Sequence, residues 1–138
     1  MYEYKAVVVK IIDGDTIDVD VHLGFDVVLS KQRVRLHGID TPESRTRNKE
    51  EKVRGLLSKE YLRDQCSKGS TIRLSSKERG KFGRILGVIY REDDCISINQ
   101  RMCEDNYAVP YSGGNKDEIE ALHMVNKQKL IEKGILED

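Results

Sequence analysis

Residues 16 to 23 alternate without a break, Ile17, Val19, Val21 and Leu23 being set against Thr16, Asp18, Asp20 and His22. A side-chain period of two makes one face of this segment apolar and the other wet, as in a half-buried strand and unlike any helix. Just before it, residues 5 to 12 form a β-rich run with Val7, Val9 and Ile11 in one phase, and Asp13-Gly14 supplies a turn. The chain therefore opens with a hairpin. Gly24 to Asp26 make the next turn, and residues 27 to 37 form a third strand that sets Val34 and Leu36 against Arg33 and Arg35. Arg35 is thus expected on the face away from the core.

Pro42 ends that strand, and the basic stretch Ser44 to Lys52 reads as a loop that becomes helical near Glu50. Val53, Leu56, Leu57 and Tyr61 fall at helical spacing and predict a helix to about Cys66, stopped by Lys68-Gly69. Residues 70 to 76 and 84 to 91 read as two further strands joined by the basic turn Lys77 to Gly83. Asn99 is placed to cap a short helix reaching about Asp105, and Ile119, Leu122, Asn126 and Leu130 mark a final amphipathic helix with Gly134 near its end. Five strands with a helix after the third describe an α+β fold, a five-stranded OB-fold β-barrel with about three helices. The absence of repeats and linkers makes residues 1–138 one domain, long enough for a single core.

The formal net charge is zero, yet it is unevenly laid out: residues 31 to 91 hold 17 Lys/Arg and 7 Asp/Glu. Folded onto one side, that middle segment offers a basic face to a polyanion, while the acidic flanks hold nonspecific affinity down. Cys66, Cys95 and Cys103 match neither a disulfide framework nor a zinc pattern and read as free thiols. No stretch approaches the roughly 18 apolar residues of a membrane span. The opening residues Met1 to Lys5 lack the basic and apolar regions of a secretion signal, so a cytoplasmic monomer with no membrane partner is expected, a secreted mature form staying open.

Asp15 follows the first turn and Asp40 lies at the exit of the third strand. In a curled sheet those ends can meet, and two carboxylates with a backbone carbonyl are hard oxygen ligands suited to calcium or magnesium. Calcium takes about six to eight oxygens, so three protein ligands leave room for water and a substrate phosphate, which points to catalysis. Arg35 and Arg84 each carry a rigid two-donor fork that matches phosphate oxygens. His22, His37 and His123 form no triad-like arrangement and are expected at the surface or in incidental hydrogen bonds. Tyr2, Tyr4, Tyr61, Tyr90 and Tyr107 are expected to pack or to line rims, and Arg45 to Lys49 either tracks a nucleic acid strand or is a solvated loop.

Three pieces of the chain, Ile12-Asp13-Gly14-Asp15-Thr16, Arg35 to Glu43 with Gly38-Ile39-Asp40-Thr41-Pro42 inside it, and Phe82-Gly83-Arg84 followed by a hydrophobic strand, stand in one order. In these residues the chain resembles the staphylococcal (micrococcal) nuclease family, over residues 5 to about 111. The resemblance implies an OB-fold barrel and calcium-dependent, weakly sequence-specific hydrolysis of DNA and RNA to ends carrying a 3′-phosphate. It implies that Asp15 and Asp40 bind one calcium ion through carboxylates and Thr41 through its carbonyl, with magnesium or manganese as substitutes. Glu43 would position or deprotonate the attacking water, and Arg35 and Arg84 would grip the scissile phosphate. Phe82 stands where the family often has a tyrosine whose hydroxyl meets a phosphate, so that contact is missing and Lys81 remains beside it. Tyr111 aligns with a tyrosine that stacks near the nucleotide, although Pro110 and Ser112-Gly113-Gly114 depart from the best-known member. A barrel of the same kind that binds nucleic acid without cutting it is the competing expectation.

Overall fold

The computed structural model describes residues 2–79 and 83–137. Five strands close into a barrel: β1 (Tyr2–Asp13), β2 (Thr16–Gly24), β3 (Val27–Leu36), β5 (Thr71–Arg79) and β6 (Ile85–Arg91), in the order β1-β2-β3-β6-β5. All neighbours are antiparallel except β3 and β6, which run parallel for three residue pairs, Val34 with Ile85, Arg35 with Leu86 and Leu36 with Gly87. A separate two-stranded piece pairs β4 (Ile39–Asp40) with β7 (Val109–Pro110). Three helices complete the fold: α1 (Lys49–Gln65), α2 (Ile98–Glu104) and α3 (Lys116–Glu132). The expected α+β barrel with three helices is therefore the observed one.

The alternation in β2 holds, since Ile17, Val19 and Val21 are buried against the partly exposed Asp18 and Asp20. In β1 the phase differs from expectation. Ala6 and Val8 enter the core while Val7 and Val9 face outward, and a bulge between Val8 and Lys10 then resets the phase so that Ile11 turns inward. One inserted residue flips every later side chain, which a strictly periodic reading cannot anticipate.

The helices bury faces that match the apolar ones expected only in part. Along α1 the buried residues are Arg54, Gly55, Ser58 and Leu62, whereas Val53 and Leu56 stand in water. Arg54 gives both Nε and Nη2 to Glu50 at 2.7 and 3.0 Å, and Lys127 of α3 reaches the same carboxylate at 3.3 Å, so α1 and α3 join through a shared ion pair. Asn48 caps α1 by accepting from the N–H groups of Glu50 and Glu51. Ser97, not Asn99, caps α2; the Asn99 side chain is buried and instead accepts from Ile89 N and donates to the carbonyls of His37 and Gly87. In α3 Leu122 is exposed and His123 takes the buried position, because the face toward the barrel runs through Ile119, His123, Asn126 and Leu130.

Cys66, Cys95 and Cys103 are free thiols, and burial pushes that of Cys66 up to about 12. Tyr61 and Tyr107 stack at 4.6 Å and pack with Tyr4 against the core, while Tyr2 is exposed. Among the described residues no helix is long and apolar enough to cross a membrane.

Candidate active site

The β1–β2 turn, the β3–β4 segment and the start of α1 are drawn together by two glycines. A Cβ on Gly14 would stand 2.9 Å from Ser58 Cβ and 3.0 Å from Thr41 Oγ1, so only glycine lets this turn sit on both. A Cβ on Gly55 would stand 2.4 Å from the carbonyl oxygen of Glu43 and 2.6 Å from Ser44 N. The backbone carrying Glu43 thus lies directly on α1. Glu51 Oε2 accepts from Glu43 N at 3.0 Å, and Ser44 Oγ donates to Asp13 Oδ1 at 2.7 Å, which pins the segment at both ends.

Around this frame the acidic groups gather. Asp15 is mostly buried; Thr16 Oγ1 donates to its Oδ1 at 3.0 Å, and its Oδ2 lies 3.3 Å from Arg35 Nη2. The same Nη2 lies 3.6 Å from Asp40 Oδ1, so one guanidinium stands between the two carboxylates, while Arg35 Nη1 donates to Leu36 O at 2.8 Å. Burial, followed by the nearby carboxylates Asp13 and Asp40, raises the Asp15 pKa against the opposing pull of Arg35 and Thr16. Glu43 is raised as well, by desolvation first and then by repulsion from Asp13, Asp15, Asp40 and Glu51. Burial is the larger cause in both, and the mutual repulsion of Asp13, Asp15, Asp40 and Glu43 that adds to it is one a cation would relieve.

Thr41 is buried beside the turn, and Asp40 is bound from its far side. His123 of α3, also buried, brings Nε2 to 2.8 Å from Asp40 Oδ2. This corrects the expectation of a surface position, the hydrogen bond that was the other expectation being made to Asp40. Its Oδ2 engaged by His123, Asp40 presents Oδ1 toward Arg35. Asn126, three residues on, donates to Ala108 O at 2.9 Å and ties α3 to the strand opposite Asp40.

Two grooves meet here. The first is lined by Arg35, Arg84, Glu78, Leu86 and Tyr111; the second by Arg35, Asp40, Thr41, Glu43, His123 and Tyr111. Arg35 and Tyr111 belong to both. Arg84 enters the first groove because β6 runs parallel to β3, and its Nε is buried without a partner among the described residues. A buried donor left unpaired costs about 1 to 3 kcal/mol, which an anion in the groove would recover. Tyr111 is held by its N–H to Gly38 O at 2.8 Å and keeps its ring exposed. Lys81 and Phe82, the other expected substrate contacts, lie outside the described residues.

Among the described residues no three His, Cys, Asp or Glu side chains form a ready-made metal cluster. The donor set implied by the sequence has two carboxylates and a carbonyl, all hard oxygens, with the further acids Asp13 and Glu43 close by, so the residues fit calcium or magnesium in chemistry. Sequence reasoning missed Asp13, Gly55 and His123. The signals were present: a glycine inside a helical pattern, and a histidine at the buried spacing of Ile119, Asn126 and Leu130.

Residues 33–135 match the family model described as staphylococcal nuclease homologue. The chain is 30% identical over 116 residues to the "Endonuclease YhcR" of Bacillus subtilis (strain 168), a match that covers 79% of this chain and 9% of that one. It is 29% identical over 133 residues to an "Uncharacterized endonuclease" of Escherichia coli, covering 95% and 76%. To the "Micrococcal nuclease" of Shigella flexneri it is 30% identical over 118 residues, covering 79% and 59%. The chain thus spans less than a tenth of the first of these relatives and about three fifths of the last.

Proposed function

The chain belongs to the staphylococcal nuclease homologue family, and from that premise we propose that it is a divalent-cation-dependent nuclease hydrolysing DNA and RNA with little sequence preference. The observation that carries the reading is Arg35, which stands between Asp15 and Asp40 and at the same time faces the groove shared with Arg84, whose buried Nε has no partner among the described residues. Names such as endonuclease and micrococcal nuclease among the relatives support it.

Asp15, Asp40 and the Thr41 carbonyl would hold the ion, calcium first and magnesium or manganese as substitutes. When bound, the ion supplies Lewis-acid stabilisation of charge on the phosphoryl oxygens. His123 orients Asp40 so that a single oxygen faces the site. Glu43, exposed on a segment pinned to α1, positions a water for attack on phosphorus or takes its proton. The raised pKa of Glu43 brings it nearer the working pH of a general base. As the water oxygen bonds to phosphorus, the bond to the 5′ oxygen breaks, and a 3′-phosphate remains. Charge grows on the equatorial oxygens during this displacement, and the guanidinium forks of Arg35 and Arg84 are the groups aimed at it. Tyr111 offers a ring on which a base can stack, worth about 1 to 3 kcal/mol. A site that grips one phosphate in a barrel groove holds the backbone rather than base edges, so weak sequence preference is expected.

A fluorescent oligonucleotide assay in calcium, magnesium or manganese and then in chelator tests the reading. Cleavage that needs the cation and leaves 3′-phosphate ends is the expected result. Binding without cleavage in all conditions would assign the barrel to nucleic acid binding alone.

A further inference from the structure

A concavity of about 680 Å³ lies between β1 and α1, away from the two grooves of the active site, and Val9, Lys10, Ile11, Lys59, Arg63 and Lys68 line it. We propose that this groove binds the phosphate backbone of the nucleic acid strand beyond the bond being cut. The proposal rests on the nuclease reading for its substrate, but not for the charge and shape that follow.

Three distant parts of the chain place cations here: the middle of β1, the second half of α1 and the turn after it. The bulge at Val8–Lys10 is what allows it, because it turns both Val9 and Lys10 outward where strict alternation would send one of them into the barrel. No carboxylate lines the groove among the described residues, and Lys10, Lys59 and Lys68 make no ion pair among them. Asp64 of α1 lines an adjoining hollow that shares Ser67 with this one, and two further acids nearby are ion-paired. Glu60 meets Arg63 at 3.4 Å on the exposed side of α1, and Asp18 pairs across the sheet with Lys10 but is held by Arg33 at 2.9 and 3.2 Å. In a chain with as many acids as bases, three unpaired lysines and a half-paired arginine around one hollow are a local excess of positive charge.

Position joins the groove to the site. Gly55, Lys59 and Arg63 are successive i+4 positions and share one stripe of α1. Gly55 touches the backbone of Glu43, and Lys59 follows about 6 Å further along the helix. On the other wall, Lys10 is three residues from Asp13, roughly 10 Å along the strand, and Asp13 accepts from Ser44 beside Glu43. The hollow therefore begins within about 10 Å of the Asp13–Glu43 edge and leads away from it. A strand gripped at Arg35 and Arg84 and extended past Glu43 meets positive charge there, and flexible lysine heads suit phosphates in variable positions better than a rigid fork would.

The test uses the whole chain in chelator, so that nothing is cut, and measures fluorescence anisotropy with a single-stranded 12-mer and with thymidine 3′,5′-bisphosphate. The triple variant Lys10→Ala, Lys59→Ala, Lys68→Ala is expected to bind the 12-mer about tenfold more weakly at low salt, with the slope of log affinity against log salt shallower by about 2. Binding of the bisphosphate should be unchanged, and the triple Lys→Arg variant should restore 12-mer binding. Unchanged 12-mer affinity and slope would overturn the proposal, as would equal losses for both ligands. If the wild type binds the 12-mer through these lysines yet cuts nothing when a cation is supplied, the nuclease reading fails and the groove stands. Cleavage by the wild type with no effect of the lysines leaves the nuclease reading standing and removes the groove.

Discussion

The two ends of the β1–β2–β3 sheet break the usual burial rule in opposite senses. At the Asp13–Thr16 end, carboxylates are carried into partly buried surroundings and every neighbouring backbone segment is tied down, by Gly14 against Thr41 and Ser58 and by Ser44 against Asp13. At the Gly24–Val27 end, Phe25 is fully exposed, Leu23, Val27, Val28 and Leu29 are 40–50% exposed, and Phe25 and Asp26 both hold positive φ (53° and 62°). A bulky side chain in the left-handed region is costly, and nothing packs on it in return. Misplaced polarity is compensated at one end and left open at the other, and this separates a built site from a loose turn.

Removing the groups that meet substrate should break the comparison hardest. Glu43→Gln is expected to lose about 10²- to 10⁴-fold in kcat, and Arg84→Ala about 10²- to 10³-fold, both read from initial rates on a labelled oligonucleotide. Near-normal turnover in the second would remove Arg84 from the reaction. Gly55→Ala leaves every reactive group in place but drives a methyl into the Glu43 backbone, so a loss of about 10²-fold with intact overall fold by circular dichroism is expected. If that variant is as active as the wild type, Glu43 does not depend on its seat on α1. His123→Ala should weaken calcium binding by about 10- to 100-fold in a calorimetric titration, and His123→Gln, which keeps an N–H donor, should weaken it less.

Protons sharpen the same contrast. Because burial and neighbouring acids raise the Asp15 pKa, the folded, cation-free chain keeps a proton that the unfolded chain has already released just above pH 3.8. This contribution to stability is complete below that pH and is lost as pH rises through the folded-state value. Asp15→Asn should accordingly melt higher than the wild type at pH 7 in chelator, and calcium should stabilise only the wild type. The smallest effect belongs to the open end. Phe25→Asn relieves the left-handed strain and should stabilise by about 1 kcal/mol in urea without changing cleavage.

Periodicity made the barrel legible because Ile17, Val19 and Val21 do alternate, and turn residues marked its corners. It failed wherever tertiary contact outweighed local pattern. The bulge at Val8–Lys10 is invisible to a count of twos, Arg54 is buried because the Glu50 carboxylate, which Lys127 also reaches, pairs with it, and Asn99 is drawn off the cap by three backbone groups of the barrel. Of the site, Asp15, Arg35, Asp40 and Glu43 could be named from motifs. His123 was legible only as a buried position, by its spacing with Ile119, Asn126 and Leu130, and not as the partner of Asp40 83 residues away.

Arg35 and Arg84 face one groove only because a parallel pair of three residues joins β3 to β6. Bringing those strands together requires closing a stretch of about fifty residues, an entropic expense that sequential hairpins avoid. The hairpins of β1 to β3 are local and can form early, whereas the two guanidinium groups converge only when the ring shuts. Partly folded molecules would therefore carry Asp15 and Arg35 without the second arginine, and the proposed site is complete only when the ring shuts.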